Sequence, residues 1–409
     1  MSTLSSLILE DAKALQPTLQ EYRRWLHQRP ELGFDLTETK PFVISKLKEY
    51  GYDNIREVGK AGVTVTAGGK KPGKVYLIRA DMDALPINEE TDVEYKSCTP
   101  NKMHACGHDM HTTMLLGAAK ILKDHEDAID GTIKLMFQPA EETCEGCKDM
   151  IDAGILEDPK VDVAMMIHVA AAVPAPTGTI ILPAGKTGLS SNDQFTITIQ
   201  GKGAHGAMPQ DGIDPINAGV HIFQALQALN AREIDPNDPF ILTIGSFNSG
   251  IAPNVIPDSA TLSGTIRTIS SKVREKVKKR FEEIVVSQAE VFGAKATISY
   301  LSNCPVFVND PGLVASGRRA LTELFGQGNF IDYEAIGMTQ FRVAGSEDFG
   351  YASEHVPTIL VPFAVGDVKD GFKYGAHHPK AEFDDNYLYK GAATYAMCAL
   401  TWLSENKEQ

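Results

Sequence analysis

Positive charge is scarce in this sequence, and its shortage excludes two kinds of partner. Among 409 residues, 39 lysines and arginines stand against 53 acidic residues, which gives a formal net charge of −14 at pH 7. A chain this acidic lacks the cationic face by which proteins bind nucleic acid or an anionic membrane surface. We therefore expect no nucleic acid and no membrane among its partners.

The sequence also has few cysteines, no long apolar run and no basic segment at its N-terminus. The longest apolar stretch, at 163–173, is interrupted by His168 and is too short to predict a membrane-spanning helix. The first residues lack the basic region and the sustained apolar core of a signal peptide. Six cysteines, at 98, 106, 144, 147, 304 and 398, are too sparse for a disulfide framework and are predicted to be reduced. Together these features predict a cytoplasmic protein.

The apolar residues that are present predict a large parallel sheet. Hydrophobic residues make up 43% of the chain, and the length suggests two domains, one inserted into the other. Short apolar runs alternate with longer amphipathic stretches and lie at 75–80, 132–139, 163–169 and 358–364. Such runs are typical of strands buried on both faces, so we predict an α/β fold with a mostly parallel sheet flanked by helices.

The middle third has a different pattern. It predicts a strand, a helix, two closely linked strands, a helix and a last strand, at 194–200, 215–231, 240–248, 258–267, 271–292 and 295–301. The order βαββαβ is that of a ferredoxin-like α+β domain. We place this domain at 188–302, inserted between two parts of the larger domain at 1–187 and 303–409, because parallel-sheet character returns after it.

Residues that can bind metal follow the predicted strands. In an open α/β sheet, ligands bind beyond the carboxyl ends of the strands. The apolar runs lead into Asp81–Asp83, Glu141-Glu142, His168 and a loop that reaches His377, and the segment His104–His111 lies at the start of a predicted helix. Segments far apart in the sequence therefore bring cysteine, histidine and carboxylate side chains to one crevice. This convergence predicts a metal site.

Cys106-Gly107-His108 is the most specific part of this set. In an extended segment the two outer residues share a face, and the glycine between them permits close backbone approach. A thiol beside an imidazole at a helix N-terminus is predicted to be stabilised as the thiolate. Thiolate with imidazole suits zinc, whereas carboxylate with imidazole also accommodates manganese, cobalt or nickel. From spacing alone, a buried structural cysteine beside a capping histidine fits equally well.

The acidic pair Glu141-Glu142 directly follows a predicted buried strand. One carboxylate of such a pair can bind metal while its neighbour accepts a proton from metal-activated water. A solvated acidic pair in a loop is the alternative. Cys144 and Cys147, a little further on, are interpreted as two loop thiols, because one C-x-x-C pair makes no zinc site.

The histidines divide into candidates for the site and the remainder. His168, in an apolar stretch, fits either a core histidine or a metal ligand. His377 and His378 are adjacent, so one of them at most is expected to face the site. Six others are interpreted as structural or surface residues: His27, His104, His111, His125, His221 and His355.

A set of longer motifs extends over most of the chain, at Arg24–Phe34, Arg79–Pro86, His104–Asp109, Gln138–Glu142, Gly203–Gly206, Pro253–Asp258 and Gly345–Phe349. Together they resemble the M20 metallopeptidase family, in its amidohydrolase branch. That branch includes hippurate hydrolases, N-acetyl-amino-acid deacetylases and plant auxin-conjugate hydrolases. The resemblance implies an enzyme that cleaves the amide bond of N-acyl amino acids such as acetyl or benzoyl conjugates. Dipeptides or aminobenzoyl-glutamate-type substrates are the alternative for the same site.

The resemblance also implies a two-metal site. Mn²⁺ or Zn²⁺, with Co²⁺ or Ni²⁺ as alternatives, would be held by Cys106, His108, Glu142, His168 and His377. His377 is preferred to His378 because the family's last ligand lies two residues before the position of Pro379. Glu141 would be the general base, and Asp83 would orient a ligand.

The inserted domain would be the lid of this family, through which a dimer or tetramer forms. His205, Asn254 and Arg267 would then bind the substrate carboxylate or the developing oxyanion. The sequence departs from the branch at 143–147 and 169–172, and both segments would shape the substrate pocket. Two other interpretations stay open: Cys106 as a nucleophile activated by a nearby histidine, and a non-catalytic binding protein with the same fold.

Overall fold

The computed structural model of the protein describes residues 3–183, 186–333 and 345–407. Its helices, numbered in chain order, are α1 Thr3–His27, α2 Thr39–Glu49, α3 His108–Asp124, α4 Gly146–Asp152, α5 Pro215–Ala228, α6 Ser271–Val291, α7 Pro311–Phe325, α8 Gly350–Ser353 and α9 Leu388–Glu405. Its strands are β1 Arg56–Val58, β2 Gly62–Gly68, β3 Val75–Asp81, β4 Thr132–Gln138, β5 Val163–Val173, β6 Thr179–Leu182, β7 Lys186–Leu189, β8 Asn192–Gln200, β9 Ala204–His205, β10 Phe240–Ser249, β11 Val255–Ile256, β12 Ser259–Thr268, β13 Lys295–Cys304, β14 Phe307–Asn309, β15 Phe330–Asp332 and β16 Thr358–Asp367. Within these ranges, no helix combines the length and the apolar character needed to cross a bilayer.

The described residues form two compact units. Those within 1–188, 308–340 and 351–409 form the first unit, and those within 189–307 and 341–350 form the second. The second unit is therefore an insertion in the sequence of the first. The sequence predicted an insert at 188–302 and did not indicate the later segment.

The first unit is built on a mostly parallel sheet. Its strands run in the order β1-β2-β4-β3-β5-β16-β14-β7, with β15 and β6 off this path. The pairs from β4 through β3, β5 and β16 to β14 are parallel, whereas β1 and β2 add an antiparallel edge. All residues of β3 are buried, as expected for a strand covered on both faces. The predicted α/β fold, a mostly parallel sheet flanked by helices, is confirmed.

The sheet opens between β3 and β5. These strands pair as far as Arg79 and Met166 and then separate. The hydroxyl of Tyr395, on α9, accepts a hydrogen bond from the Ile167 N–H at 3.0 Å and donates one to the Arg79 carbonyl at 3.0 Å. One buried side chain thus satisfies backbone groups that the diverging strands no longer satisfy for each other.

The position of His168 differs from the prediction that placed it at a strand end. β5 continues beside β16 as far as Val173, so His168 lies inside the strand. The long partner strand β16 keeps β5 extended after it has left β3. His168 therefore lies just beyond the point where the sheet opens.

The second unit is an antiparallel sheet with two helices. Its strands run in the order β10-β12-β8-β13, and all neighbouring pairs are antiparallel. Along the chain the elements follow the order β8-α5-β10-β12-α6-β13, which is a βαββαβ unit. The inward-facing side chains Phe195, Ile197 and Ile199 of β8 join those of α5 and α6 in one core. A further short pair, β9 with β11, was not predicted.

Candidate metal centre

Five side chains that the sequence singled out as metal ligands lie close together in the first unit. The donor atoms lie within 4.8 Å of one another in each of three overlapping groups: Cys106, His108 and His168; Cys106, Glu142 and His377; and His108, Glu141 and Glu142. The Sγ atom of Cys106 lies 3.6 Å from Nε2 of His168. Oε1 of Glu142 lies 3.5 Å from Nε2 of His377 and 3.8 Å from Nε2 of His108. Segments separated by up to 271 positions in the sequence thus meet in one cluster.

Gly107 allows Cys106 and His108 to reach this cluster from one short turn. Its φ is +87°, a value that residues with a Cβ atom rarely adopt. Helix α3 begins at the next residue. A Cβ atom at Gly107 would also lie 2.3 Å from Cγ2 of Val169. Any other residue here would displace either the turn or β5.

Backbone carbonyls orient two of the imidazoles. Nδ1 of His108 donates to the carbonyl of Asp83 at 2.9 Å, and Nδ1 of His168 donates to the carbonyl of Val169 at 2.7 Å. Because each Nδ1 must carry the hydrogen for these bonds, Nε2 of the neutral ring has its lone pair available. This is the arrangement found in metal-binding histidines, whose second nitrogen is held by a carbonyl or carboxylate.

Asp83 holds the acidic pair. Its Oδ1 accepts from the Glu141 N–H at 3.0 Å, and its Oδ2 accepts from the Glu142 N–H at 3.2 Å. The preceding residue, Ala140, has a φ of +55°, so the chain turns sharply before the pair. One buried carboxylate therefore positions both glutamates through their backbone, and the carbonyl of the same residue orients His108.

The last candidate ligand lies on the rim of the cluster. The N–H of His377 donates to the carbonyl of Ala105 at 2.8 Å, and the residue has a φ of +68°. Its side chain is 54% exposed, and its Nε2 faces Glu142. His378 instead stacks on Tyr374, with 4.2 Å between ring centroids. Of the two adjacent histidines, His377 is the one beside the other donors.

Burial changes the protonation of the donor set. It raises the pKa of Glu142 to about 7 and lowers that of His168 to about 3. For His108 burial lowers the pKa, but the carboxylate of Asp81 raises it and the net shift is upward. Burial, with Glu142 nearby, raises the pKa of Cys106 to about 12. Without metal, burial thus favours the thiol of Cys106 over the thiolate that the sequence predicts.

Two features of the cluster fit a metal site: its types of donor, and buried polar atoms that lack hydrogen-bond partners. Nε2 of His108 and Oε1 of Glu142 are buried, and neither has a hydrogen-bond partner among the described residues. Buried polar atoms are rarely left without partners, because each costs about 1–3 kcal/mol. These two atoms lie 3.8 Å apart, close enough for both to bind one cation. A thiol, imidazoles and carboxylates are the ligand types that zinc and manganese take.

His111 is a part of the site to which the sequence assigned no role. Its Nδ1 donates to Oδ1 of Asp81 at 2.6 Å, and its Nε2 accepts from the Val169 N–H at 2.8 Å. Its ring also packs edge-on against that of His168, with centroids 4.7 Å apart. His111 therefore links the end of β3 to the segment of β5 that carries His168. The sequence did contain one indication of this role: His111 follows His108 by three residues, so both lie on the same face of α3.

Three predicted substrate-binding residues lie in the second unit. His205 is in β9, and Asn254 directly precedes β11, the strand paired with β9. Nδ1 of His205 accepts from the Ala207 N–H at 3.1 Å, so the hydrogen of the neutral ring is on Nε2. Arg267 lies in β12, and its Nη1 is buried without a hydrogen-bond partner in the described part of the chain.

Residues 77–401 match peptidase family M20/M25/M40. The chain is similar to thermostable carboxypeptidase 2 of Saccharolobus solfataricus, with 35% identity over 95% of this chain and 96% of the relative. It is 37% identical to an IAA-amino acid hydrolase of Arabidopsis thaliana, over 94% of this chain and 86% of the relative. It is 36% identical to N-acetyl-L-cysteine deacetylase of Bacillus subtilis, over 96% of this chain and 90% of the relative.

A solved structure has the same fold. It is a Bacillus subtilis protein described as a dinuclear metal-binding peptidase of the M20 family, and it is 30% identical to this chain. The two align with a TM-score of 0.79 over 96% of this chain and 99% of the other. The fold of the chain, its sequence and its cluster of donors thus point to the same family.

Proposed function

Because the chain belongs to peptidase family M20/M25/M40, a family of amide hydrolases, we propose that it is a metal-dependent amidohydrolase that cleaves N-acyl amino acids to a carboxylic acid and a free amino acid. The observation that carries this proposal is the cluster of Cys106, His108, Glu142, His168 and His377 with Glu141 beside it. Two of the relatives support the substrate class, because their names describe hydrolysis of an IAA-amino acid and deacetylation of N-acetyl-L-cysteine.

We assign the five donors to two divalent ions, Mn²⁺ or Zn²⁺, with Co²⁺ or Ni²⁺ as alternatives. When bound, such ions polarise the scissile carbonyl and lower the pKa of a water from about 15.7 towards about 7. Asp83 and the carbonyl of Val169 keep the imidazoles and glutamates in register for this binding. The protein thereby holds its ligands in place before the substrate arrives.

Glu141 is assigned as the general base, and Glu142 as a ligand. Oε1 of Glu142 lies near both His108 and His377, whereas Glu141 contributes Oε2 at 3.9 Å from Nε2 of His108 and is not grouped with Cys106 or His377. Glu141 is also buried, so its carboxylate is shielded from bulk water. It would take the proton of the attacking water and pass it to the leaving nitrogen. A positioned base of this kind contributes about 10²–10⁴-fold to the rate.

The second unit is assigned to substrate binding. The Nε2 hydrogen of His205 is exposed and suits an oxyanion, because the other ring nitrogen is already engaged. Arg267 offers a buried guanidinium nitrogen that lacks a partner in the described ranges, and a substrate carboxylate would satisfy it. Asn254, adjacent to the strand paired with that of His205, would donate its amide to the same substrate group.

We also propose that copies associate through the second unit. Ile216, Val220 and Phe223, spaced by three or four residues along α5, are exposed, as is Ile241 on β10. β10 is the outer strand in the order β10-β12-β8-β13, so its edge adjoins no other strand of that sheet. Phe223→Asp should convert a dimer or tetramer into smaller species in light scattering. The exposed residue Val291, at the end of α6, provides the control: Val291→Asp should leave the mass unchanged.

A hydrolysis screen tests the proposed activity. Metal-stripped protein is assayed with and without Mn²⁺ or Zn²⁺ on acetyl-, benzoyl- and aminobenzoyl-amino acids and on dipeptides, and the released amine is measured. We expect metal-dependent release from the acyl amino acids. Activity that ignores chelators but is lost on alkylation would indicate Cys106 as a nucleophile. Metal binding without any hydrolysis would indicate a binding protein.

A second substrate class has its own support. One relative is named a carboxypeptidase and is as similar to this chain as the deacetylase, to within one per cent identity. Preferential cleavage of dipeptides or aminobenzoyl-glutamate in the same screen would favour this class. The two-metal site and the role of Glu141 would be unchanged.

A further inference from the structure

An aromatic pair lies beside the most exposed donor of the metal centre. The rings of Tyr374 and His378 are stacked, with centroids 4.2 Å apart and planes inclined by 16°. His378 directly follows His377, and Tyr374 is three residues before His377. The side chains of Tyr374 and His377 are both exposed, to 40% and 54%. The stack and the exposed donor His377 therefore belong to the same short surface segment, 374–378.

The pair is held in place at the backbone. Nδ1 of His378 accepts from the Lys380 N–H at 3.0 Å, which restricts the rotation of the ring. The N–H of His377 donates to the carbonyl of Ala105, one residue before Cys106, so the segment is attached to the turn that carries two of the donors. Both rings thus belong to a segment that is joined by this backbone hydrogen bond to the turn of Cys106 and His108.

We propose that Tyr374 and His378 form a platform on which the acyl group of the substrate stacks, and that the enzyme therefore prefers aromatic acyl groups such as benzoyl to acetyl. This inference rests on the proposed function. The scissile carbonyl must lie at the donor cluster, and in a benzoyl amide the ring is bonded directly to that carbon. An aromatic acyl group thus extends from the reacting carbon by one ring, whereas an acetyl group ends at a methyl.

The chemistry of the stack favours the acyl half of the substrate over the amino acid half. An aromatic ring placed against Tyr374 gains an offset or edge-on contact and sheds water from both rings. The amino acid half carries a carboxylate, for which Arg267 is the proposed partner. Unlike the guanidinium of Arg267, the ring of Tyr374 offers that carboxylate no positive charge with which to pair.

Tyr374→Leu in the metal-loaded enzyme tests the platform, with Tyr374→Phe as the matched control that keeps the ring. The substrates are benzoylglycine and acetylglycine, followed by benzoyl derivatives of two further amino acids. We expect Tyr374→Leu to lower kcat/KM for benzoylglycine by about three- to tenfold. Most of the change should be a higher KM, because the contact exists before and during the reaction. Acetylglycine should change by less than about twofold, and Tyr374→Phe should resemble the wild type.

Three outcomes would overturn the platform while leaving the proposed function intact. They are an equal fall for benzoylglycine and acetylglycine, no fall for either, and a loss that follows the amino acid rather than the acyl group. If the metal-loaded wild type hydrolyses no acyl amino acid at all, the proposed function fails and the platform fails with it. Because Tyr374 is exposed, thermal unfolding should show that all variants are as stable as the wild type.

Discussion

Asp83→Asn should weaken metal binding without removing any metal ligand. Both carboxylate oxygens of Asp83 accept backbone hydrogens, from Glu141 and Glu142 at 3.0 and 3.2 Å. An asparagine keeps one oxygen and turns the other into an NH₂ group, which faces an N–H instead of accepting from it. One hydrogen bond to a charged group, worth about 1.5–3 kcal/mol, is lost, and the acidic pair shifts. This corresponds to roughly a 10- to 100-fold weaker affinity, the range typical of such supporting residues.

Asp162 provides the matched control for this experiment. Its Oδ2 also accepts a backbone hydrogen, from Val75 at 2.8 Å, but this bond is at the start of β3, whereas Asp83 follows the end of that strand. Zn²⁺ affinity is measured by competition with a chelator of known strength, and thermal unfolding is recorded without metal. We expect Asp83→Asn alone to lose affinity, whereas Asp162→Asn loses at most stability. If both variants bind Zn²⁺ like the wild type, Asp83 does not hold the acidic pair for metal binding.

Three further variants or conditions test the rest of the centre. Glu141→Gln should retain metal but lose about 10²–10⁴-fold in kcat, and near-normal turnover would contradict its role as base. Burial raises the pKa of Glu142 to about 7, and binding requires the ionised carboxylate, so metal affinity should rise with pH. Below pH ~7 binding must also displace the proton of Glu142, so a plot of log affinity against pH should be steeper there, by about one, than it is above pH ~7. A slope that is the same from pH ~6 to pH ~8 would contradict this. His111→Ala should weaken Zn²⁺ binding by about 10- to 100-fold, whereas His125→Ala, at a partly buried histidine just after the end of α3, should not.

The parts of the fold that could be predicted are those with local signals. Apolar runs such as 75–80 indicate strands buried on both faces, and the βαββαβ order of the insert follows from alternation and helical spacing. The antiparallel edge formed by β1 and β2 was not predicted, because β1 has three residues and only its last is buried. Such short strands are defined by their partner rather than by their own composition.

The residue types of the candidate site could be predicted from the sequence, but their contacts and their burial could not. Donor identity is a property of the sequence, so the five donors could be chosen by motif. The bonds of His111 to Asp81 and Val169 span 30 and 58 positions, and no local pattern indicates them. The protonation of Cys106 depends on how much solvent it loses, which spacing does not reveal. Long-range contacts and burial therefore account for what the sequence did not show.

Tyr395 and His377 leave the ribosome long after Cys106 does. At about 5–20 residues per second, His377 is synthesised roughly 15–55 s later than Cys106. Throughout that interval the nascent chain carries a thiol and an imidazole suited to zinc, while the hydroxyl that bridges the gap between β3 and β5 does not yet exist. The full set of five donors therefore exists only after His377 has been added, long after the first two have left the ribosome.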